Sequence, residues 1–257
     1  MNLAPCETWQ NPGFFIGSEV RRYDELPSTN DLAAELAHDP ANRGLAIVAD
    51  HQTAGRGQHD RVWQAEPASS LLLSLILPPH PALLRPAILT AWAAVGMAEA
   101  IGSLSGAEAR MKWPNDLLVK GRKICGILIE MGRGIVVGIG LNLNQSSGHF
   151  TDAGLTEATS LFGIAGRTFE LRPVLDCVLL HLDVGFKRLV GGDRESLERA
   201  WVERLGLVGR TVEAVRTDGT TIVGTLAEMN FDALMIVQFH GEPISLPPEA
   251  IRHLRAA

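Results

Sequence analysis

RMKWPNDLLVKGRKICGILIE, residues 110–130, decides the fold. Met111 and Trp113 lead into Pro114-Asn115-Asp116, where proline fixes φ and two short polar side chains accept backbone N–H groups, so the chain turns there. Residues 117–119 read as a second strand. Lys120-Gly121-Arg122-Lys123 is a short glycine-containing reversal, and residues 124–131 form an apolar run of strand length interrupted by Gly126. These pieces build a meander with Lys112 and Lys123 near its ends. In a chain whose formal net charge is -6, the lysines and arginines of this ribbon make a local positive site beside an Asn-Asp pair. A Lys-Gly-Arg-Lys reversal by itself is a solvated turn; its company gives it a second meaning.

Upstream, residues 19–26 form a strand that Pro27 ends. Ser28-Thr29-Asn30-Asp31 opens a helix running to about residue 38, with Ser28 as the cap and Asp31 three residues on in a capping-box-like placement. Such a helix start, with a free hydroxyl and amide donors, is equally a cradle for a ligand. Residues 44–50 are a buried strand delivering the chain to residues 51–63, a segment too long for an idle connection and expected to be mobile until a ligand orders it. Two glycines flanking Arg56 let backbone amides and a guanidinium approach an anion together, and Gln52 offers a donor and an acceptor in one group.

Downstream, residues 69–77 are an apolar strand, 85–104 an alanine-rich core helix, and 135–139 a β-branched strand ending in Gly140-Leu141-Asn142-Leu143-Asn144. This is not a Rossmann fingerprint, because the third glycine is absent and no helical pattern begins there. Residues 158–161 open a short helix, and 171–190 and 195–205 are helices. From Gly206 the texture changes to short strands at 211–216, 220–229, 234–240 and 244–246, with Asp218-Gly219 as a hairpin turn, which fits a small barrel. Residues 1–18 read as an irregular lead-in with Phe14 and Phe15 packed down as core anchors.

Composition narrows the function classes. A chain of 257 residues with 46% hydrophobic and 20% charged residues builds a large core, divided most naturally into one large and one small domain. The acidic balance argues against a general nucleic-acid surface. Cys6, Cys125 and Cys177 are an odd set without a Cys-x-x-Cys pair, which disfavours a disulfide framework and a structural zinc and points to a reduced cytoplasm. The N-terminus lacks a basic region followed by an apolar core, and no apolar run of membrane-spanning length is expected, so no membrane association is anticipated.

Lys112-Trp113-Pro114-Asn115-Asp116, followed by Lys123, Gly126-Ile127-Leu128 and Glu130, resembles the signature of biotin protein ligases in residue type and spacing. Ser28-Thr29-Asn30 is similar to that family's first biotin-binding motif, residues 51–63 to its substrate-ordered loop, and the run from Gly140 to Asn144 to its Gly-x-Asn-x-Asn element. The resemblance implies an α/β chain of the α+β type. A mixed central sheet with packed helices would occupy residues 1–205, and a Src-homology-3-like β-barrel residues 206–257. It implies biotin and ATP as substrates, Mg²⁺, a biotinyl-adenylate intermediate, and a lysine on a biotin carboxyl carrier domain as acceptor.

Residue by residue, the resemblance assigns catalysis to Lys123, Arg56 and Lys112. Biotin falls to Ser28, Thr29, Asn30, Gln52, Arg56, Gly57, Gln58, Lys123 and Gly126, the nucleotide to Arg56, Trp63, Asn115, Lys123, Asn142, Asn144 and Thr159, and the metal to Asp116, directly or through water. No segment before Glu19 is long enough for a helix-turn-helix domain, so the single-function form is expected and not the repressor form. One position departs from the pattern: the family continues Gly-Arg-Gly-Arg, and this chain has Gln58, with His59 or Arg61 available to replace the missing charge. A lipoate or octanoate ligase of the same fold superfamily and a non-catalytic biotin-binding regulator are the competing readings; residues 55–63 and 112–116 weigh against the first, and Lys123 against the second. Pairing of two copies through the sheet is left open.

Overall fold

The computed structural model describes residues 4–58, 61–238 and 241–257. His59, and the end of the strand expected over 234–240, lie outside the described residues. The chain opens with β1 (Glu7–Gln10), followed by β2 (Glu19–Leu26), α1 (Thr29–Leu36) and β3 (Leu45–Gln52). β2 and β3 run parallel, and α1 is the crossover that a parallel neighbour requires. β4 (Ser70–Leu77) pairs antiparallel with β3. Next comes α2 (Pro86–Ser105), which starts on a proline whose missing N–H costs nothing in a first turn and stops at Gly106, where φ is 71°. The meander read from the sequence follows as β5 (Arg110–Lys112), β6 (Asp116–Val119), β7 (Arg122–Met131) and β8 (Ile135–Asn142). Together these strands form an eight-stranded mixed sheet in the order β1-β2-β3-β4-β8-β7-β6-β5.

The period of two along β4 divides the molecule. Leu71, Leu73, Leu75 and Leu77 point into the main core, while Ile76 joins a second cluster with Leu26, Leu32 and Ile47 beneath α1. Four helices complete the first part: α3 (Ser147–Asp152), α4 (Leu161–Ala165), α5 (Leu171–Val190) and α6 (Arg194–Leu205). α5 buries Val174, Leu175, Val178, Leu179, Leu182, Phe186 and Leu189 at helical spacing, each such side chain contributing about 1.5–3 kcal/mol if fully buried. α2 packs on it: the Trp92 indole N–H donates to the Leu182 carbonyl at 3.1 Å, and the Trp92 ring meets Phe186 edge-on at 6.0 Å.

The expectation that no apolar run reaches membrane-spanning length is corrected by α2, whose 20 residues are long and apolar enough by composition. Its apolarity answers to contacts on several sides, with Ile88, Leu89, Trp92 and Met97 all buried in the core. The lead-in also differs from expectation. Glu7–Gln10 is a strand, and Phe15 is 58% exposed. What fastens this segment is Asp183, almost fully buried, which accepts from the backbone N–H groups of Phe15 at 2.6 Å and Ile16 at 2.9 Å.

A second sheet, antiparallel and five-stranded, consists of β9 (Thr211–Arg216), β10 (Thr221–Met229), β11 (Leu234–Val237), β12 (Ile244–Leu246) and β13 (Ile251–Ala256), ordered β12-β11-β10-β9-β13. β13 is a strand beyond the four expected. An aromatic column joins the two parts: Trp113 lies 6.0 Å from Trp201, which stacks on Phe231 at 5.1 Å, and the Trp113 indole N–H donates to the Ile251 carbonyl at 3.0 Å. Around it, Arg85 pairs with Asp232 and Glu249, each at 2.7 Å.

Candidate active site

A cavity of about 670 Å³ opens on the α1 side of the large sheet. Its floor is a patch where neighbouring strands carry glycine. Gly126 of β7 sits opposite Gly140 of β8, which sits opposite Leu72 of β4; one step along, Ser74 faces Gly138. The bare positions are needed. A Cβ at Gly140 would lie 2.6 Å from both Cε2 and Cζ2 of Trp63, one at Gly126 would lie 3.0 Å from Cζ3 of the same indole, and one at Gly138 would overlap the Asn30 side-chain amide. The Trp63 ring thus lies across two glycines, with its indole N–H buried and without a hydrogen-bond partner among the described residues.

Above this floor, Lys123 places Nζ 2.6 Å from Asp116 Oδ1 and 5.7 Å from the centroid of the Trp63 ring. The Lys123 side chain is 37% exposed and that of Asp116 19%. The bulge between Leu117 and Leu118 sets the register of β6 against β7 at the point that carries Lys123. Asn115 clips the preceding turn to β7, donating to the Ile127 carbonyl at 2.5 Å and accepting from the Ile127 N–H on its own carbonyl at 3.0 Å. Lys112 lines the cavity and has no ion-pair partner among the described residues.

At the α1 end the polar groups are chained. Gln52 Oε1 accepts from the Thr29 N–H at 2.7 Å and from its hydroxyl at 3.0 Å. Ser74, fully buried in β4, lies 2.7 Å from Thr29 Oγ1 and 2.5 Å from Asn30 Oδ1. Asn30 in turn donates to Glu130 Oε2 at 2.7 Å. Ser28 occupies the N-cap position but makes no side-chain cap bond; Gln52 takes the first helical N–H instead, which corrects the capping role expected of Ser28. Ser28, only 2% exposed, lines the cavity. Asp31 likewise forms no capping box, because its carboxylate pairs with Arg56 at 2.7 Å.

Of the sixteen residues assigned to catalysis, biotin, nucleotide or metal from the sequence, thirteen line this one cavity: Ser28, Thr29, Asn30, Gln52, Arg56, Gly57, Gln58, Trp63, Lys112, Asn115, Asp116, Lys123 and Gly126. Three do not. Asn142 donates to the Thr159 carbonyl at 2.9 Å, and Asn144 exchanges two hydrogen bonds with the Phe169 backbone, at 2.8 and 2.9 Å, so these amides are committed to fastening the chain after β8. The Thr159 N–H donates to the Lys123 carbonyl at 2.8 Å. Arg56 stands between two carboxylates, with its guanidinium Nη2 2.7 Å from Asp31 and 2.8 Å from Glu130. The segment expected to be mobile is tied by backbone bonds from Ala54 to Pro27, Gly57 to Arg61 and Trp63 to Gly55.

Residues missed by sequence reasoning are Ser74, Gly138 and, from the second sheet, Glu213, His253 and Arg255, all of which line the cavity or its floor; Gly140 was read only as the start of the Gly-x-Asn-x-Asn element. The signal for Ser74 was present, as one serine in the middle of the apolar run SLLLSLIL. Cys125 is buried beside the site, and burial pushes its thiol far above the ordinary range, so it stays protonated. No group of three His, Cys, Asp or Glu able to hold a metal exists among the described residues.

Residues 23–144 match the Biotin/lipoate A/B protein ligase family. The biotin--[acetyl-CoA-carboxylase] ligase of Paracoccus denitrificans is 32% identical over 197 residues, covering 73% of this chain and 81% of that protein. The chain belongs to the biotin protein ligase family. The bifunctional ligase/repressor of Bacillus subtilis is 34% identical over 211 residues, 80% of this chain; the chain spans 65% of that relative's length, just under two thirds. In fold, the family's biotin protein ligase from Aquifex aeolicus, solved in complex with biotin and ATP, superimposes with a TM-score of 0.77 over 93% of this chain and 99% of that one, at 24% identity.

Proposed function

We propose that the chain is an ATP-dependent ligase that joins the carboxylate of biotin to a lysine of a biotin carboxyl carrier domain through biotinyl-adenylate. The observation that carries this reading is Lys123, a half-exposed cation on a rigid strand, set over a glycine floor inside a cavity large enough for a drug-sized ligand. In the first step a biotin carboxylate oxygen attacks the α-phosphorus of ATP and the bond to the bridging oxygen breaks, releasing pyrophosphate. Anion meets polyanion, so fixed positive charge must stand between them, and Lys123 supplies it with Lys112 adding field. In the second step the acceptor amine attacks the acyl carbon, the bond to AMP oxygen breaks, and the amine loses a proton to solvent. Ser28, Thr29 and Gln52 suit the polar urea of biotin, and the mixed anhydride gains from the water exclusion that Trp63 and its segment provide.

Among the described residues no set of ligands fits a resident metal. Asp116 is a single carboxylate already paired with Lys123, and magnesium asks for near-octahedral oxygen ligation. In this reading Mg²⁺ arrives with the nucleotide, as the counterion of its phosphates. The unpaired cysteines fit a reducing compartment such as the cytoplasm.

The test is incubation with labelled biotin, or labelled lipoate in parallel, with ATP and Mg²⁺ and an apo carrier domain. Pyrophosphate release and carrier labelling with biotin are expected. Turnover with lipoate alone would replace this reading with the lipoate one, and biotin binding without pyrophosphate release would leave a regulator.

A further inference from the structure

Glu130 does not line the cavity, yet two cavity residues converge on one of its oxygens. Asn30 Nδ2 donates to Oε2 at 2.7 Å and Arg56 Nη2 donates to the same atom at 2.8 Å. Asn30 is fixed from the other side by fully buried Ser74, at 2.5 Å, so the Glu130 carboxylate is anchored to the floor of the site. Asp31, in the first turn of α1, takes the same Arg56 nitrogen at 2.7 Å. Arg56 therefore bridges α1 and β7 from a segment that belongs to neither.

The segment needs such a fastening. Arg56 stands between Gly55 and Gly57, and glycine leaves the free backbone more conformations than any other residue. Gly55 is also packed closely, since a Cβ there would lie 2.5 Å from the Trp63 carbonyl oxygen and 3.0 Å from Gln52 Nε2. Charge points the same way. One guanidinium against two carboxylates leaves a net negative corner, a poor place to receive an anionic substrate group and a good one in which to hold an arginine. Both contacts use a single nitrogen, a pivot that ties the side chain down through one corner.

We propose that Glu130 and Asp31 are positioning residues that catch Arg56 and so hold residues 53–58, with Gln52 beside them, against the wall of the biotin cavity. Arg56 in this arrangement is a strut of the binding site and not a cation for the reacting phosphate. The proposal rests on the biotin-ligase reading for its ligand but not for its mechanics.

The mechanics are tested without ligand. Trypsin cleaves after Arg56 only when the segment opens, and Glu130→Ala and Asp31→Ala are expected to raise cleavage at the Arg56–Gly57 bond about three- to tenfold, the size of a partly screened charge-assisted bond. With ligand, biotin dissociation from Glu130→Ala, Arg56→Ala and the double variant forms a cycle. Each single change is expected to speed release by a similar factor and the pair by no more than either. Steady-state adenylation by Glu130→Ala should show a raised KM for biotin with kcat within about threefold of wild type. Glu130→Gln keeps an acceptor for Asn30 and Arg56 and is expected to fall between the two; it carries the test if the alanine variant fails to fold. Unchanged cleavage, additive effects, or a fall in kcat at constant KM would each overturn the proposal. Failure of the wild type to bind biotin would remove the ligase reading while leaving the trypsin result to decide the catch.

Discussion

Replacing Gly140 by alanine puts one methyl group where the indole of Trp63 now lies. The added Cβ would sit 2.6 Å from two ring carbons, about 1 Å inside ordinary carbon contact, so something must move. β8 is hydrogen-bonded on both sides in the middle of an eight-stranded sheet, whereas Trp63 is carried by a segment held through a few loop bonds. The ring should therefore give way and the sheet should not. Overpacking of this kind costs about 1–3 kcal/mol, and if it falls on the segment it multiplies the opening of its backbone bonds roughly 5- to 150-fold. Native-state hydrogen exchange reads this directly. The Gly57 and Trp63 amides, which donate to Arg61 at 2.7 Å and Gly55 at 3.0 Å, should lose protection by that factor, while the amides of β4 and β8 keep theirs. If β8 loses protection and the segment does not, the sheet has yielded to a fixed indole and the account of the glycine floor is wrong.

Lys123→Ala should slow adenylate formation on the order of 10²-fold or more with the fold intact, read as pyrophosphate release alongside circular dichroism; a parent-like rate would remove Lys123 from the chemistry. Gln58→Arg restores the charge that the family pattern has at this place, and the dissociation rate of preformed biotinyl-adenylate should fall by about one to two powers of ten, with less labelling of a bystander lysine-rich protein. Equal retention would mean that the charge is supplied elsewhere, Arg61 being the candidate. Cys125 gives a pH prediction. Its thiol is raised by burial in the folded state and ordinary in the unfolded state, so its contribution is intact below the unfolded value and lost as pH rises above about 9, where only the unfolded chain ionises. Chemical denaturation from pH 7 to 10 should show this loss and Cys125→Ala should flatten it.

Where local chemistry dictates structure, the sequence was legible. The turn residues 114–116 and 120–123 deliver the meander that holds Asp116 and Lys123, and the apolar spacing of α5 matches its observed bounds. β13 escaped because Arg252, His253 and Arg255 break any alternation, and its pairing comes from β9, far away in sequence. Ser28 misled because a hydroxyl before a helix is usually its cap, while here Gln52, brought in by β3, takes that place. For Arg56 the glycines around it speak of anion binding, while Asp31 and Glu130, which pair with it, reach it only in the folded chain and could not be read from the motif. Motif reading found which residues gather, and tertiary contacts decided what each side chain does there.

The aromatic column of Trp113, Trp201 and Phe231 bears on whether this site is portable. Trp113 sits one residue before the turn that presents Asn115 and Asp116, and its indole is seated against α6 and hydrogen-bonded to the carbonyl of Ile251. A hairpin copied from residues 110–130 into another scaffold would bring every charge of the ribbon and leave behind the wedge that sets its angle. The ribbon is one face of a joint whose other face is written far later in the sequence, at Trp201 and Ile251, so a transplant has to carry both or invent a substitute for the second.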